Sequence, residues 1–305
     1  MLFKLFFLLV LSLSSFLSYG ESIESLKIKI NSIIENKNAT VGVALLGSKS
    51  KESLSINGDL HLPMQSVFKY HLAIVVLNEV DKGNMSLLDK ITITPKDLDN
   101  GLWSPIRKRH PNGATLNLGE VVKYTVANSD NVGCDILFRI LGGPKVVEKY
   151  FRSVGIKDIA IEYDEMTQQL VWERQFENWT TANAANISLK MFYENNADLL
   201  SAESHRFLWD TMKGSGTGRK TIKGNLIKGT VVAHKTGNSG KNKLGLTGAQ
   251  NDIGIIFLPD GTHFYLSVLV SNSLESREVN KKIIADIAKL AWDYFENSTK
   301  QATGT

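Results

Sequence analysis

Cysteine is all but missing from these 305 residues: Cys134 stands alone, so no intramolecular disulfide can form. Without that staple the chain must hold together through its core. At this length the core is ample for one large domain or two intimate ones. Histidine is scarce as well. The six histidines are scattered, with no pair at metal-ligand spacing, which argues against a zinc enzyme. No basic block lies behind the formal charge of +4, so nucleic acid is a poor partner. Internal repeats and low-complexity stretches are absent, and 43% hydrophobic with 22% charged residues is the composition of a globular protein, not a disordered one.

Long apolar runs are missing too, except at the start, "MLFKLFFLLVLSLSSFLSYGES". One lysine precedes an apolar stretch of about a dozen residues, short of the roughly 20 that a membrane span needs. Small residues follow at Ser18 and Gly20. The pattern predicts a secretory signal peptide over residues 1–20, cleaved after Gly20, and no cysteine stands nearby for a lipid anchor. The mature chain is therefore expected to be exported to the periplasm as a soluble protein without membrane attachment. Nothing in the sequence asks for more than a monomer. Cys134, in the helical pattern "NVGCDILFRIL", reads as a small buried residue.

Ile23, Leu26, Ile30, Ile33 and Ile34 recur at helical spacing. "ATVGVALLG" and "ESLSING" follow as two strands joined by a polar turn at Ser48 to Lys51. From residue 65 to 212 the pattern is helical, with apolar runs at 67–79, 119–127, 132–141, 145–152 and 182–199. Strands return in "GTVVAHKTG", "NDIGIIFL" and "HFYLSVLVS", and an amphipathic helix carrying Val279, Ile283, Ile284, Ile287, Leu290 and Tyr294 closes the chain. The simplest packing is an α/β (α+β) fold: one five-stranded antiparallel sheet covered by the terminal helices, from 21–59 and 219–305, with an inserted all-helical lobe from 60–218 and a cleft between them. "GSGTGRKT" (214–221) looks like a phosphate loop but lacks the Gly-Lys-Ser/Thr spacing and follows no strand, so it reads as a hinge between the lobes.

"HLPMQSVFKYHLAIVV" (61–76) sets Lys69 three residues after Ser66 at the head of an apolar run. A core-facing helix has little room for an unpaired charge, so either Lys69 snorkels outward or the pair forms a site. Ser-x-x-Lys alone is weak, since about one match per chain is expected by chance, and Ser48-x-x-Lys51 is such a match. Context separates them: Ser66 lies where a helix begins, at the positive end of its dipole, and Lys69 lies on the same face. A desolvated lysine can activate a serine nucleophile. "SDN" at Ser129, Asp130 and Asn131 lies between two helical runs and could be a simple cap. "HKTG" at 234–237 ends a strand and could be a simple boundary. All three in order, each on a suitable element, are hard to obtain by accident.

Together the three motifs resemble the serine penicillin-recognising enzymes, specifically the class A β-lactamases. The resemblance covers essentially the whole mature chain. In that family a deacylating glutamate lies about 36 residues past the serine of Ser-Asp-Asn, which is Glu165 here, within "YDEMTQQLVWERQFENWTT". Met166 and Gln169 replace the proline and asparagine of the usual Glu-Pro-x-x-Asn, and Glu162, Asp164, Glu173 and Glu177 are nearby competitors. This divergent loop, with Gln65 and Asp135, resembles the PER/VEB-like extended-spectrum branch. There an acidic residue such as Asp135 pins the loop, here with Asn178 as the candidate partner.

The resemblance implies that Ser66 attacks a β-lactam carbonyl and that the backbone N–H groups of Ser66 and Asn238 form the oxyanion hole. The acylation base would be Lys69, or Glu165 through a water. Ser129 would protonate the departing nitrogen. Lys235 and Thr236 would bind the substrate carboxylate, Asn131 the acylamino group, and Gly237, Ser239 and Gly240 would line the substrate-side strand edge. Glu165 would activate the hydrolytic water. Trp103 matches a cleft-mouth aromatic, or simply anchors its loop, and Arg219, Lys220 and Thr221 lie near one location used for a carboxylate-binding cation. Neither cofactor nor metal is implied. The rival readings are a D,D-peptidase or penicillin-binding protein, and a β-lactam sensor acylated without turnover.

Overall fold

A computed structural model describes residues 21–48, 52–195 and 198–303, with the side chains of 301–303 left undescribed. The expected signal peptide at 1–20 and most of the expected turn at Ser48–Lys51 lie outside the described residues.

Five strands form the main sheet: β1 (Thr40–Gly47), β2 (Ser53–Ile56), β3 (Val232–Asn238), β4 (Thr247–Phe257) and β5 (His263–Ser273), in the order β2-β1-β5-β4-β3 and antiparallel throughout. The chain ends thus meet in one sheet, as expected. The central strands β1 and β5 read as largely apolar runs because both faces are covered, while the edge strand β2 alternates exposed and buried. On one face Val41, Val43, Leu45, Leu266, Val268 and Val270 pack against α1 (Ile23–Ile34) and the terminal α8 (Arg277–Thr303). On the other, Ala233, Ile253, Ile255, Tyr265 and Leu269 join the core of the helical segment.

That segment is built around α2 (Phe68–Asp81), in which all ten residues from Phe68 to Leu77 are buried. A helix apolar on every side belongs at the centre of a bundle. Around it lie α3 (Leu118–Ala127), α4 (Asn131–Leu141), α5 (Pro144–Ser153), α6 (Ala182–Glu194) and α7 (Ala202–Lys213). Two expectations need correction. The helix expected over 182–199 ends at Glu194, where Asn195 turns left-handed at φ +48°. The segment is also not wholly helical: Lys90–Ile93 pairs with Ala114–Asn117, and Trp179–Thr180 bridges Leu62–Pro63 to Ile159–Ala160. These pieces of two to four residues are too short for their alternation to show.

Candidate active site

Ser66 sits in a 3-10 turn, Gln65–Val67, that runs straight into α2. The first N–H groups of such a start lack intrahelical partners. Gln65 is left-handed at φ +47°, a conformation costing a non-glycine residue about 1–3 kcal/mol. Its side chain is fixed by a 3.0 Å hydrogen bond to Gln175 Oε1. One turn on, Lys69 is wholly buried, so it does not snorkel. Its Nζ lies 2.9 Å from Ser66 Oγ, 2.9 Å from Glu165 Oε1 and 3.1 Å from the Ser129 carbonyl, and also donates to Asn131 Oδ1. An ammonium has three protons and faces four acceptors, while Ser66 Oγ is itself 3.3 Å from Glu165 Oε1.

Ser129 enters from the link between α3 and α4, at φ +57°. The middle residue of its motif is structural. Buried Asp130 caps α4 through Gly133 N–H (2.8 Å) and accepts from Ser104 Oγ (2.8 Å) and Ile106 N–H (2.7 Å). That locks Ser129 and Asn131 to either side of it. The Asn131 N–H donates to the Trp103 carbonyl at 3.0 Å. Trp103 is 65% exposed and lines the cleft, and its Nε1 reaches the Asn128 carbonyl at 3.4 Å.

The sheet edge β3 forms the facing wall. Lys235 is wholly buried, with Nζ 3.0 Å from Ser129 Oγ. Burial and the neighbouring Lys69 charge lower its pKa to about 7. Thr236 and Ser239 line the cleft. Gly237 is buried against the serine turn: a Cβ there would stand 2.3 Å from the Met64 carbonyl oxygen, so only glycine permits the approach. In the β3–β4 ladder Asn238 is opposite Gln250, and the Ser239 N–H donates to the Ala249 carbonyl. Hydrogen-bonded and non-hydrogen-bonded pairs alternate, so the Asn238 N–H is turned from β4 to the open edge.

The loop 161–179 brings Glu165 in. Among the acidic candidates of this loop, only Glu165 reaches Ser66 and Lys69. Asp164 caps the short helix Glu165–Leu170, Glu162 pairs with Lys145, and Glu173 and Glu177 are exposed. The expected Asp135–Asn178 pairing is corrected. Asp135 accepts from the backbone N–H of Glu165 (2.8 Å) and Met166 (3.0 Å), while Asn178 ties the preceding turn through Glu162 N–H, Tyr163 N–H and the Tyr163 carbonyl. Asp135 faces the free amides of a helix start and offers one oxygen to each, where a side-chain amide has a single acceptor oxygen. Burial, then the charges of Glu165 and Asp164, push its carboxyl up to about 8.

Ser66, Ser129, Asn131, Glu165, Thr236 and Asn238 border one open cleft of about 850 Å³. Lys69 and Lys235 lie beneath its surface. The segment 214–221 connects α7 to the sheet and contributes Thr217 and Arg219 to the wall, joined by Lys220, Arg277 and Lys281. Sequence reasoning missed Thr217, Gln175, Arg277, Lys281 and buried Asp252. Of these only Asp252 gave a signal, as a carboxylate inside the apolar strand "NDIGII". Cys134 is buried, and among the described residues no cluster of His, Cys, Asp and Glu could hold a metal.

A helical core on one face of a five-stranded antiparallel sheet, with part-exposed Ser66 beside buried Lys69 and Glu165 at their junction, is the arrangement of a penicillin-recognising hydrolase. The chain matches the beta-lactamase enzyme family over residues 25–295. It belongs to that family and is a class A β-lactamase. Beta-lactamase VEB-1 of Pseudomonas aeruginosa is 44% identical over 96% of this chain and 98% of its own. Extended-spectrum beta-lactamase PER-1 of the same organism is 41% identical, over 94% of this chain and 92% of its own. The crystal structure of the TLA-3 extended-spectrum beta-lactamase superposes with a TM-score of 0.88 at 46% identity, covering 90% of this chain and all of that one.

Proposed function

We propose that the chain hydrolyses penicillins and cephalosporins through an acyl-enzyme on Ser66, and so confers resistance to them. The observation that carries this reading is the four-acceptor environment of Lys69. An amine held 2.9 Å from both Ser66 Oγ and Glu165 Oε1 can take the serine proton and return it without any group moving far. Ser66 Oγ attacks the lactam carbonyl, and the developing oxyanion is held by the N–H groups of Ser66 and Asn238. The ring C–N bond breaks as Ser129 Oγ donates its proton to the nitrogen and takes one in turn from Lys235 Nζ, 3.0 Å away. Lys235, Thr236 and Arg219 receive the ring carboxylate, and Asn131, Gly237 and Ser239 the acylamino side chain, with Trp103 at the mouth. Glu165 then deprotonates a water that hydrolyses the ester.

The reading also places the sheet domain in 21–59 and 219–305, the helical domain in 60–218, and the mature enzyme in the periplasm as a monomer after loss of residues 1–20. No described helix is long and apolar enough to cross a membrane. The test is time-resolved intact mass with a penicillin. Wild type should clear a large molar excess and return to its free mass, and Glu165→Ala should stay one drug heavier on Ser66. A wild type that itself stays acylated is a penicillin-binding enzyme or sensor, and one that never gains mass sinks the Ser66 assignment.

A further inference from the structure

Behind the carboxylate side of the cleft lies a buried polar network that the reaction itself does not use. His234, one residue before Lys235, and Asp252, on β4 opposite Thr236, are both wholly buried. His234 Nδ1 lies 2.9 and 3.0 Å from the two Asp252 carboxylate oxygens. Asp252 also accepts from Thr221 Oγ1 at 2.5 Å and from the Ile222 N–H at 3.2 Å. One carboxylate therefore ties β3 to the start of the sheet-ward end of segment 214–221. The imidazole Nε2 is buried with no hydrogen-bond partner among the described residues, so the ring's polar contact is the one through Nδ1.

The same segment is pressed onto the ring. Gly218 is left-handed at φ +71°, and a Cβ on it would stand 2.6 Å from His234 Cε1 and 2.7 Å from Thr236 Cγ2. Its neighbour Thr217 shares a 2.9 Å hydrogen bond with Thr236 Oγ1, and Arg219, the next residue, lines the cleft. The backbone from 217 to 222 thus takes its height above β3 from the His234 ring, and its hold from Asp252.

We propose that His234 and Asp252 are positioning residues that set the 217–222 wall against β3, so that Thr217, Thr236 and Arg219 converge on the substrate carboxylate. The inference rests on the β-lactamase reading of the cleft. It assigns the pair to carboxylate recognition rather than to acylation or deacylation. Removing the contact should raise KM for acidic substrates and leave kcat almost alone. A substrate whose carboxylate is masked gains nothing from the wall and should not respond.

The experiment compares His234→Leu with His234→Asn, whose amide can still donate to Asp252. The substrates are a chromogenic cephalosporin as free acid and as its uncharged carboxyl ester. A displaced positioning wall is expected to raise KM for the acid about tenfold in His234→Leu, with the ester unchanged and the acid preference largely restored in His234→Asn. Thr221→Val, which removes one donor to Asp252, should move the acid KM the same way by a smaller factor, and serves if His234→Leu fails to fold. Equal losses on acid and ester, or an acid preference untouched in every folded variant, overturn the proposal. A wild type that hydrolyses neither compound overturns the β-lactamase reading and this inference with it, an outcome distinct from either of those.

Discussion

Lys235 is the residue on which pH should act first. Its ammonium is wholly buried and repelled by Lys69, which brings its pKa down from 10.5 to about 7. That displacement corresponds to on the order of 5 kcal/mol of preference for the neutral amine. In the free enzyme the cation that attracts the substrate carboxylate is present below pH 7 and is lost as pH rises through it. Once a carboxylate sits beside it, the charged form is favoured again. The alkaline limb should therefore appear in kcat/KM, which reports the free enzyme, and much less in kcat, which reports the complex. Above pH 7, kcat/KM should fall up to about tenfold per pH unit until binding by the remaining donors takes over. Lys235→Arg carries a charge that does not titrate in this range, so its kcat/KM should be lower at pH 6.5 but flat to pH 9. Steady-state hydrolysis of a penicillin from pH 5.5 to 9.5 decides the matter. A wild-type kcat/KM level to pH 9, or a variant with the same limb, refutes the assignment of the charge to Lys235.

Two further outcomes follow from single contacts. Gly237→Ala must push the edge of β3 about 1 Å away from the Met64 carbonyl, carrying the Asn238 N–H off its line with Ser66, so kcat/KM should drop by about a hundredfold; near-wild-type turnover would show that the edge yields freely. Asp135 is held mainly as the acid, with its carboxyl raised to about 8, so its contribution to stability is complete below the unfolded value of about 3.9 and is lost as pH rises through 8. The melting temperature of the wild type should therefore fall between pH 6 and 9 more steeply than that of Asp135→Asn, and parallel curves would contradict this.

The fold was legible where burial is one-sided or total. Leu26 and Ile30 of α1, and Ile283, Ile284 and Ile287 of α8, repeat at helical spacing because each helix turns one stripe onto the sheet. The central strands β1 and β5 read as apolar runs because helices cover both faces. The site was legible for the opposite reason: Lys69 contradicts its own neighbourhood, and a buried charge requires partners. What could not be read was which backbone groups those polar residues would meet. Asp135 was marked as a pin, but its ligands are two main-chain amides, and every residue except proline carries one. No side-chain identity advertises that pairing, so Asn178 was chosen for its chemistry and the amides were missed. The same blindness hid Thr217, two residues before the Arg219 that the resemblance did suggest. Their segment is rich in glycine, and its role depends on Gly218 lying flat against a histidine that follows 16 residues later (234 − 218).

The distribution of charge explains why these partners had to be so closely arranged. Beneath the cleft lie two wholly buried lysines, Lys69 and Lys235, with Glu165 and Asp252 as the buried carboxylates near them, while Asp135 favours its neutral form. Arg219, Lys220, Arg277 and Lys281 put positive charge on the cleft wall, partly offset by Glu278. Burial first, and the Lys69 charge second, bring the Lys235 pKa down to about 7 in the free enzyme. On the proposed reading, the carboxylate of a bound β-lactam beside Lys235 favours its charged form again. On that reading, hydrogen-bond donors fixed in advance by the strand edge, the serine turn and the Asp130 cap would stabilise the developing negative charge without having to reorganise. The polar groups around the cleft are therefore poised for an anion, and the fold's rigidity holds them there before it arrives.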